Sequence, residues 1–161
     1  HYRIEDARMV PPREMRIVRS SSEEPSRDEV YLYSTGLAAN AIDGDPRTKW
    51  SSRYAGGEAA PLPHELVIDL GRTRKIAGFR YLPRQIGYKG LLAKTEFHVS
   101  NNAEQFPAPP AAVAEFTAAK SVQSADCALP LEGRYVRVRV LSALNGETLA
   151  AAADFAVIQA E

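Results

Sequence analysis

The stretch Asn40-Ala41-Ile42-Asp43-Gly44-Asp45-Pro46-Arg47-Thr48-Lys49-Trp50 sets two carboxylates, a glycine, a proline and a hydroxyl between an apolar residue and the chain's only tryptophan. Gly44 lets the backbone turn sharply between the two aspartates. On the residues alone the stretch reads in two ways. It is an Asx turn, with aspartates accepting backbone hydrogen bonds, or a small cage for a hard cation such as calcium, which takes about six to eight oxygens from carboxylates, hydroxyls and carbonyls. It is not an EF-hand, because the helix-flanked ligand series is absent. In both cases the apolar ends pin the loop to a core, and the rest of the chain reads as a β-sandwich that carries the loop at one rim.

The patterning around it is β. Tyr135-Val136-Arg137-Val138-Arg139-Val140 puts valines on one face and arginines on the other, the alternation of a half-solvated antiparallel strand. Met15 to Val18, Leu66 to Leu70, Ala77 to Leu82, Thr95 to Ser100, Val113 to Phe116 and Phe155 to Ile158 are further strands. Gly71 ends one, Pro83 another, and Asn101-Asn102 marks a turn. Ser20 to Asp28 is a polar loop by composition. Leu37 to Ile42 makes one helical turn into the Asp-Gly-Asp loop, Tyr31-Leu32-Tyr33 is a strand or an aromatic loop, and Ala143 to Asp154 is a loop or short helix. No sustained helical period and no internal repeat occurs. Many short strands separated by turn signals predict an all-β sandwich or barrel.

The 161 residues suffice for one domain with a real core. Residues 1–13, ending in Pro11-Pro12, read as a linker or docked extension, and residues 14–161 as the domain. Lys plus Arg and Asp plus Glu stand at 20 each, so nothing marks nucleic acid or an anionic membrane as the partner. No apolar run approaches the roughly 18 residues of a membrane span. His1 opens a polar segment rather than a signal peptide, so the signal of a secreted parent lies upstream. The single cysteine, Cys127, reads as a small, buried apolar residue.

Catalytic patterns are missing. There is no phosphate loop and no nucleophile elbow, and the three histidines lack metal-ligand spacing. No glycosidase carboxylate pair can be picked out of the sequence. His64 and His98 read as surface or strand residues, Trp50 as a core plug behind the loop, and Tyr81 and Tyr135 as core. Arg137 and Arg139 read as a solvated sheet face or a contact to a neighbouring domain.

Taken in order, Ala39 to Asp45 with Thr48 and Trp50, then Ile68-Asp69-Leu70-Gly71, Tyr81-Leu82-Pro83-Arg84 and Arg134 to Val138 resemble the coagulation factor 5/8 type C (discoidin) domain. Its bacterial counterparts are the carbohydrate-binding modules of family 32. The resemblance runs from about residue 15 to the end and implies a jelly-roll β-sandwich of the galactose-binding-domain-like type. It also implies a structural calcium held by Asn40, Asp43, Asp45 and Thr48, closed near the C-terminus by Ala153 and Asp154. Asp154 stands where the family usually has a longer glutamate.

A sugar site needs an aromatic face for the C–H patch of the ring and a few groups that bond hydroxyls. Tyr33, Arg53, Tyr54, Arg84, Tyr88 and Lys89 are the candidates. Arg84 leads them, because its fork of donors suits neighbouring hydroxyls and it falls at the family's sugar-contacting arginine. Two positions depart from galactose-binding relatives: Ser51 replaces a histidine and Lys89 an asparagine. Lys89 could favour an acidic or sulfated sugar.

The expectation is therefore a non-catalytic carbohydrate-binding module for terminal sugars of the galactose or N-acetylgalactosamine type, or a related sugar. Its partners would be a glycan and a parent catalytic domain in the same chain, such as a glycoside hydrolase, and its location secreted or at a bacterial cell surface. The alternatives are a structural or docking sandwich without sugar binding and a discoidin-type adhesion module.

Overall fold

The computed structural model describes residues 1–161 except Leu32, Tyr33 and Glu58. Ten strands follow in order: β1 (Arg16–Ser20), β2 (Glu24–Asp28), β3 (Ser34–Gly36), β4 (Trp50–Ser51), β5 (His64–Leu82), β6 (Lys94–Ser100), β7 (Ala112–Glu115), β8 (Gln123–Val140), β9 (Ala151–Ala152) and β10 (Asp154–Gln159). The main sheet runs β1-β5-β8-β6-β7, with β10 on the far half of β5; β2-β3 and β4-β9 form two small pairs. Every pairing is antiparallel.

Two long strands make the sandwich. The first half of β5 pairs Leu66 with Val138 and Ile68 with Val136 in β8, while its second half pairs Phe79 with Ala125 in β8 and with Val157 in β10. Between the halves the register slips from Asp69 to Arg74, and Gly71 takes a left-handed φ of 83°, which an L side chain resists. Gly71 was expected to end a strand; it bends one. Because β5 and β8 bend together, Phe79 of the second half stacks on Phe97 of β6 at 4.6 Å, and Phe155 meets Phe97 edge-on at 6.3 Å. Tyr81 joins them, 4.5 Å from Phe116. These rings, with Leu66, Ile68, Val136 and Val138, are the core between the layers.

The Ile68-Asp69-Leu70-Gly71 and Arg134-Tyr135 segments meet at this bend. Asp69 is buried, and its oxygens accept Arg134 Nε at 2.9 Å and Nη2 at 3.1 Å. It also accepts the Gly71 N–H at 2.8 Å and pairs with Arg16 at 3.2 Å. The bond from Arg134 holds its carboxyl below the usual carboxylate range.

Several other expectations change. The polar stretch 20–28 contains β2, because Glu24 is buried as an acceptor rather than exposed. β8 begins at Gln123, a start hidden by Pro130 and by polar residues on its exposed face. His64 and His98 are strand residues but not surface ones, since both are buried. Tyr135 is half-buried beside Arg134 rather than in the core. Arg137 and Arg139 are half-buried over Glu65, and Arg137 also covers Phe106. Within residues 1–13, Ile4 and Val10 are buried, and the Val10 N–H donates to the Val157 carbonyl at 2.8 Å. That segment therefore lies along β10.

Candidate functional site

Ala38–Ile42 is a 3-10 turn, as expected, and it delivers Asp43 to the rim. Asp43 accepts the Asp45 N–H at 2.9 Å and the Thr48 hydroxyl. Thr48 also donates to the Asp45 carbonyl, through N at 3.4 Å and Oγ1 at 3.3 Å. The Asp45 carboxylate turns outward to Arg47, 3.0 Å from Nε. Asp45 therefore faces the loop interior with its carbonyl, not with the side chain that the sequence offered as a ligand.

From the other side comes Asp154, the first residue of β10. Its Oδ1 is buried, with no hydrogen-bond partner among the described residues. Burial, and then the nearby Asp43 carboxylate, push its pKa up to about 8. Asp43 reaches the surface, yet partial desolvation raises it as well, against the bonds from Thr48 and Asp45. Ala153 sits beside it, buried, with its N–H on the Leu82 carbonyl at 2.9 Å. Among the described residues no three His, Cys, Asp or Glu side chains gather. A cation here would thus rest on two carboxylates, a hydroxyl and main-chain carbonyls, the oxygen-only chemistry of a hard ion. Asn40 acts as a staple: its amide donates to the Thr35 carbonyl at 2.7 Å and to the Lys49 carbonyl at 3.2 Å.

The loop ends on Lys49 and Trp50. Trp50 is fully buried, with Nε1 donating to the Ser22 carbonyl at 2.9 Å, a core plug as expected. Lys49 points the other way, into an open pocket of about 630 Å³. It is only 2% exposed, its Nζ lies 3.3 Å from Asp28 and 4.6 Å from the Tyr31 ring centre. Burial, against the pull of Asp28, lowers its pKa.

Arg84 stands beside it, with its guanidinium 5.5 Å from the same ring. Arg84 is half-buried, and its fork is partly spent within its own loop. Nε donates to the Ile86 carbonyl at 2.7 Å and Nη1 to the Lys89 carbonyl at 2.9 Å. The free fork expected from the sequence is therefore a single outward edge, held in place. Tyr31 fixes that loop: its hydroxyl donates to the Ile86 carbonyl and accepts the Ile86 N–H, both at 2.9 Å. Gly87 is needed where Arg84 packs, since a Cβ there would come within 3.1 Å of Nη2, at a φ of 81°.

Of the candidate sugar residues, Arg84, Tyr54 and Lys89 line this pocket together. Tyr54 is presented by Glu24, which accepts the N–H groups of Tyr54 and Ala55 at 2.8 Å each. Arg53 and Tyr88 do not line it; Tyr88 lies under the Lys120 ammonium, 4.3 Å away. Tyr33 lies outside the described residues. Sequence reasoning missed Asp28, Lys49 and the wall Glu147-Thr148-Leu149. Glu147 is fixed by the Gly90 N–H at 2.9 Å, and Thr148 by His64 Nε2 at 2.7 Å. The one available signal was Lys49, a lysine between a polar loop and a core tryptophan.

Long paired strands ending in a stapled loop and a polar pocket at the rim are the design of a jelly-roll binding module. Within that class the chain belongs to the F5/8 type C domain family, which matches residues 17–155. It is 33% identical over 144 residues to a sialidase of Micromonospora viridifaciens, covering 89% of this chain and 21% of the sialidase. It is 32% identical over 122 residues to a galactose oxidase of Gibberella zeae, covering 74% of this chain and 18% of the oxidase. The chain thus spans about a fifth of the length of these relatives. Among solved structures it resembles a family 32 carbohydrate-binding module of Clostridium perfringens in complex with GalNAc-β-1,3-galactose, at TM-score 0.80 and 27% identity over 93% of this chain and 99% of that one. It also resembles the family 32 module of C. perfringens NanJ in complex with galactose, at TM-score 0.74 and 25% identity over 92% and 96%.

Proposed function

We propose that this chain is a non-catalytic carbohydrate-binding module that takes the terminal sugar of a glycan, of the galactose or N-acetylgalactosamine type or a related one. The observation that carries this is the Arg84 edge locked beside Lys49 and Tyr54 at one rim. The pocket offers charged donors, the acceptors Asp28 and Glu147, and one aromatic face, which is what a hydroxyl-rich ring with an apolar patch requires. Two neighbours in fold were solved with galactose-containing ligands, and the sialidase relative supports a parent that is a secreted, glycan-active enzyme. Titration with galactose, N-acetylgalactosamine and related sugars is the test. Saturable binding in the micromolar to millimolar range, lost in Arg84→Ala, is expected. A flat response to every sugar from protein with a native spectrum defeats the reading.

Calcium is proposed as the structural ion, held by Asp43, Thr48, Asp154 and the carbonyls of Asp45, Asn40 and Ala153. When bound it supplies charge compensation for the buried Asp154 and for Asp43 at the rim. The chain itself already brings the loop and β10 together. Chelation should lower the melting temperature and re-addition of calcium should restore it; an unchanged midpoint with no metal found on analysis rules the ion out.

A further inference from the structure

The pocket gathers positive charge in a chain whose formal net charge is zero. Lys49, Arg84 and Lys89 all face it, and Lys120 stands behind Arg84, with Nζ donating to the Arg84 carbonyl at 2.7 Å and to the Gly87 carbonyl. The two carboxylates on the wall are already engaged. Asp28 lies 3.3 Å from the Lys49 ammonium, and Glu147 accepts the Gly90 N–H at 2.9 Å. Among the described residues no carboxylate lies within ion-pair distance of the Arg84 guanidinium or the Lys89 ammonium; Arg84 is held by carbonyls, which orient it without neutralising it.

We propose that this pocket is built for a sugar carrying an anionic substituent, a carboxylate or a sulfate, seated between Lys89 and the outward edge of Arg84, with the Lys49–Asp28 pair behind them. The proposal rests on the carbohydrate reading above and narrows it to a substrate class. The sugar ring lies against Tyr54, and Asp28 and Glu147 accept its hydroxyls. An ammonium is a point charge that suits either anion, and a guanidinium bonds planar and tetrahedral oxyanions alike, so this lining takes both. Burial and then the Arg84 charge lower Lys120, and burial, with Arg84 adding to it against Asp28, lowers Lys49.

The experiment is titration of the chain with three methyl glycosides of one ring, observed by calorimetry or by amide shifts: galactoside, galacturonoside and galactoside 6-sulfate. Each is measured at low and at raised salt, and again in Lys89→Gln. At low salt at least one anionic ligand should bind about tenfold tighter than the neutral one, the difference between a charge-assisted and a neutral hydrogen bond. Whichever anion leads identifies the substituent. The advantage should shrink as salt rises and in Lys89→Gln. Equal or tighter binding of the neutral galactoside overturns the anionic assignment and leaves the carbohydrate reading standing. No binding of any of the three by folded protein overturns both.

Discussion

At the scale of single residues, the pocket depends on side chains that never touch its ligand. Glu24 is one. Burial pushes its carboxyl up, yet the N–H groups of Ala55, Tyr54 and Ser26 together outweigh that and hold it down at about 2. A carboxyl depressed on folding contributes stability that is complete above its unfolded value and vanishes as pH falls through the folded one. Glu24→Gln should therefore cost about 1–3 kcal/mol at neutral pH, and the gap to the parent should close as pH falls from 4.5 towards about 2. Urea midpoints across that window read it; a gap undiminished at the acid end means the charge of Glu24 is not what holds Tyr54. Tyr31 is the second. Its ring underlies both Lys49 and Arg84, and its hydroxyl makes two bonds with Ile86. In Tyr31→Phe the ring remains but the loop is released. Sugar affinity should fall about tenfold with a stability loss of about 1 kcal/mol; unchanged affinity would show that the Arg84 loop holds itself.

At the scale of elements, the bend shared by β5 and β8 explains why two separate sequence segments belong to one pattern. Ile68-Asp69-Leu70-Gly71 supplies the carboxylate and the bulge, and Arg134 supplies the fork that clamps it. Asp69→Asn keeps the shape and removes the charge, leaving Arg134 and Arg16 facing a neutral amide. Both arginines are partly exposed, so water recovers part of the loss, and about 1–3 kcal/mol is expected. A melting temperature equal to the parent's would demote the clamp to decoration of the surface. Strand existence was legible here because alternation is local: the valines of β8 and the apolar run of β5 announce themselves. What Gly71 does was not legible. A glycine ends a strand or bends it according to whether the partner strand continues opposite, and that partner is about sixty residues away in β8. β2 was missed for a related reason, since Glu24 is an acidic residue whose burial depends on N–H groups of a loop some 30 residues on.

At the scale of the whole molecule, three of the six candidates read from the sequence line the pocket, while Lys49 and the wall at Glu147 became visible only when β4 and β9 paired and brought Ser52 against Ala150. Tyr88 went the other way: near Arg84 in sequence, it turns to Lys120 because the loop reverses at Gly87. The assembled pocket is open and charged, with one exposed aromatic wall. Such a site gains little from apolar burial and must desolvate charged groups, so weak binding by one module is expected. Linking copies should then raise the apparent affinity. Two copies of the chain joined by a flexible linker should bind a surface of clustered glycans with an apparent affinity about 100-fold above one copy, by effective concentration alone. Affinity for the free monosaccharide should stay the same per site. Biosensor titration of one-copy and two-copy proteins on a mucin-coated surface measures both quantities. Equal apparent affinities, with the linker long enough to span neighbouring glycans, would mean that the pocket closes on something larger than a terminal sugar, and that the rim acts as one extended interface instead of an independent point of attachment.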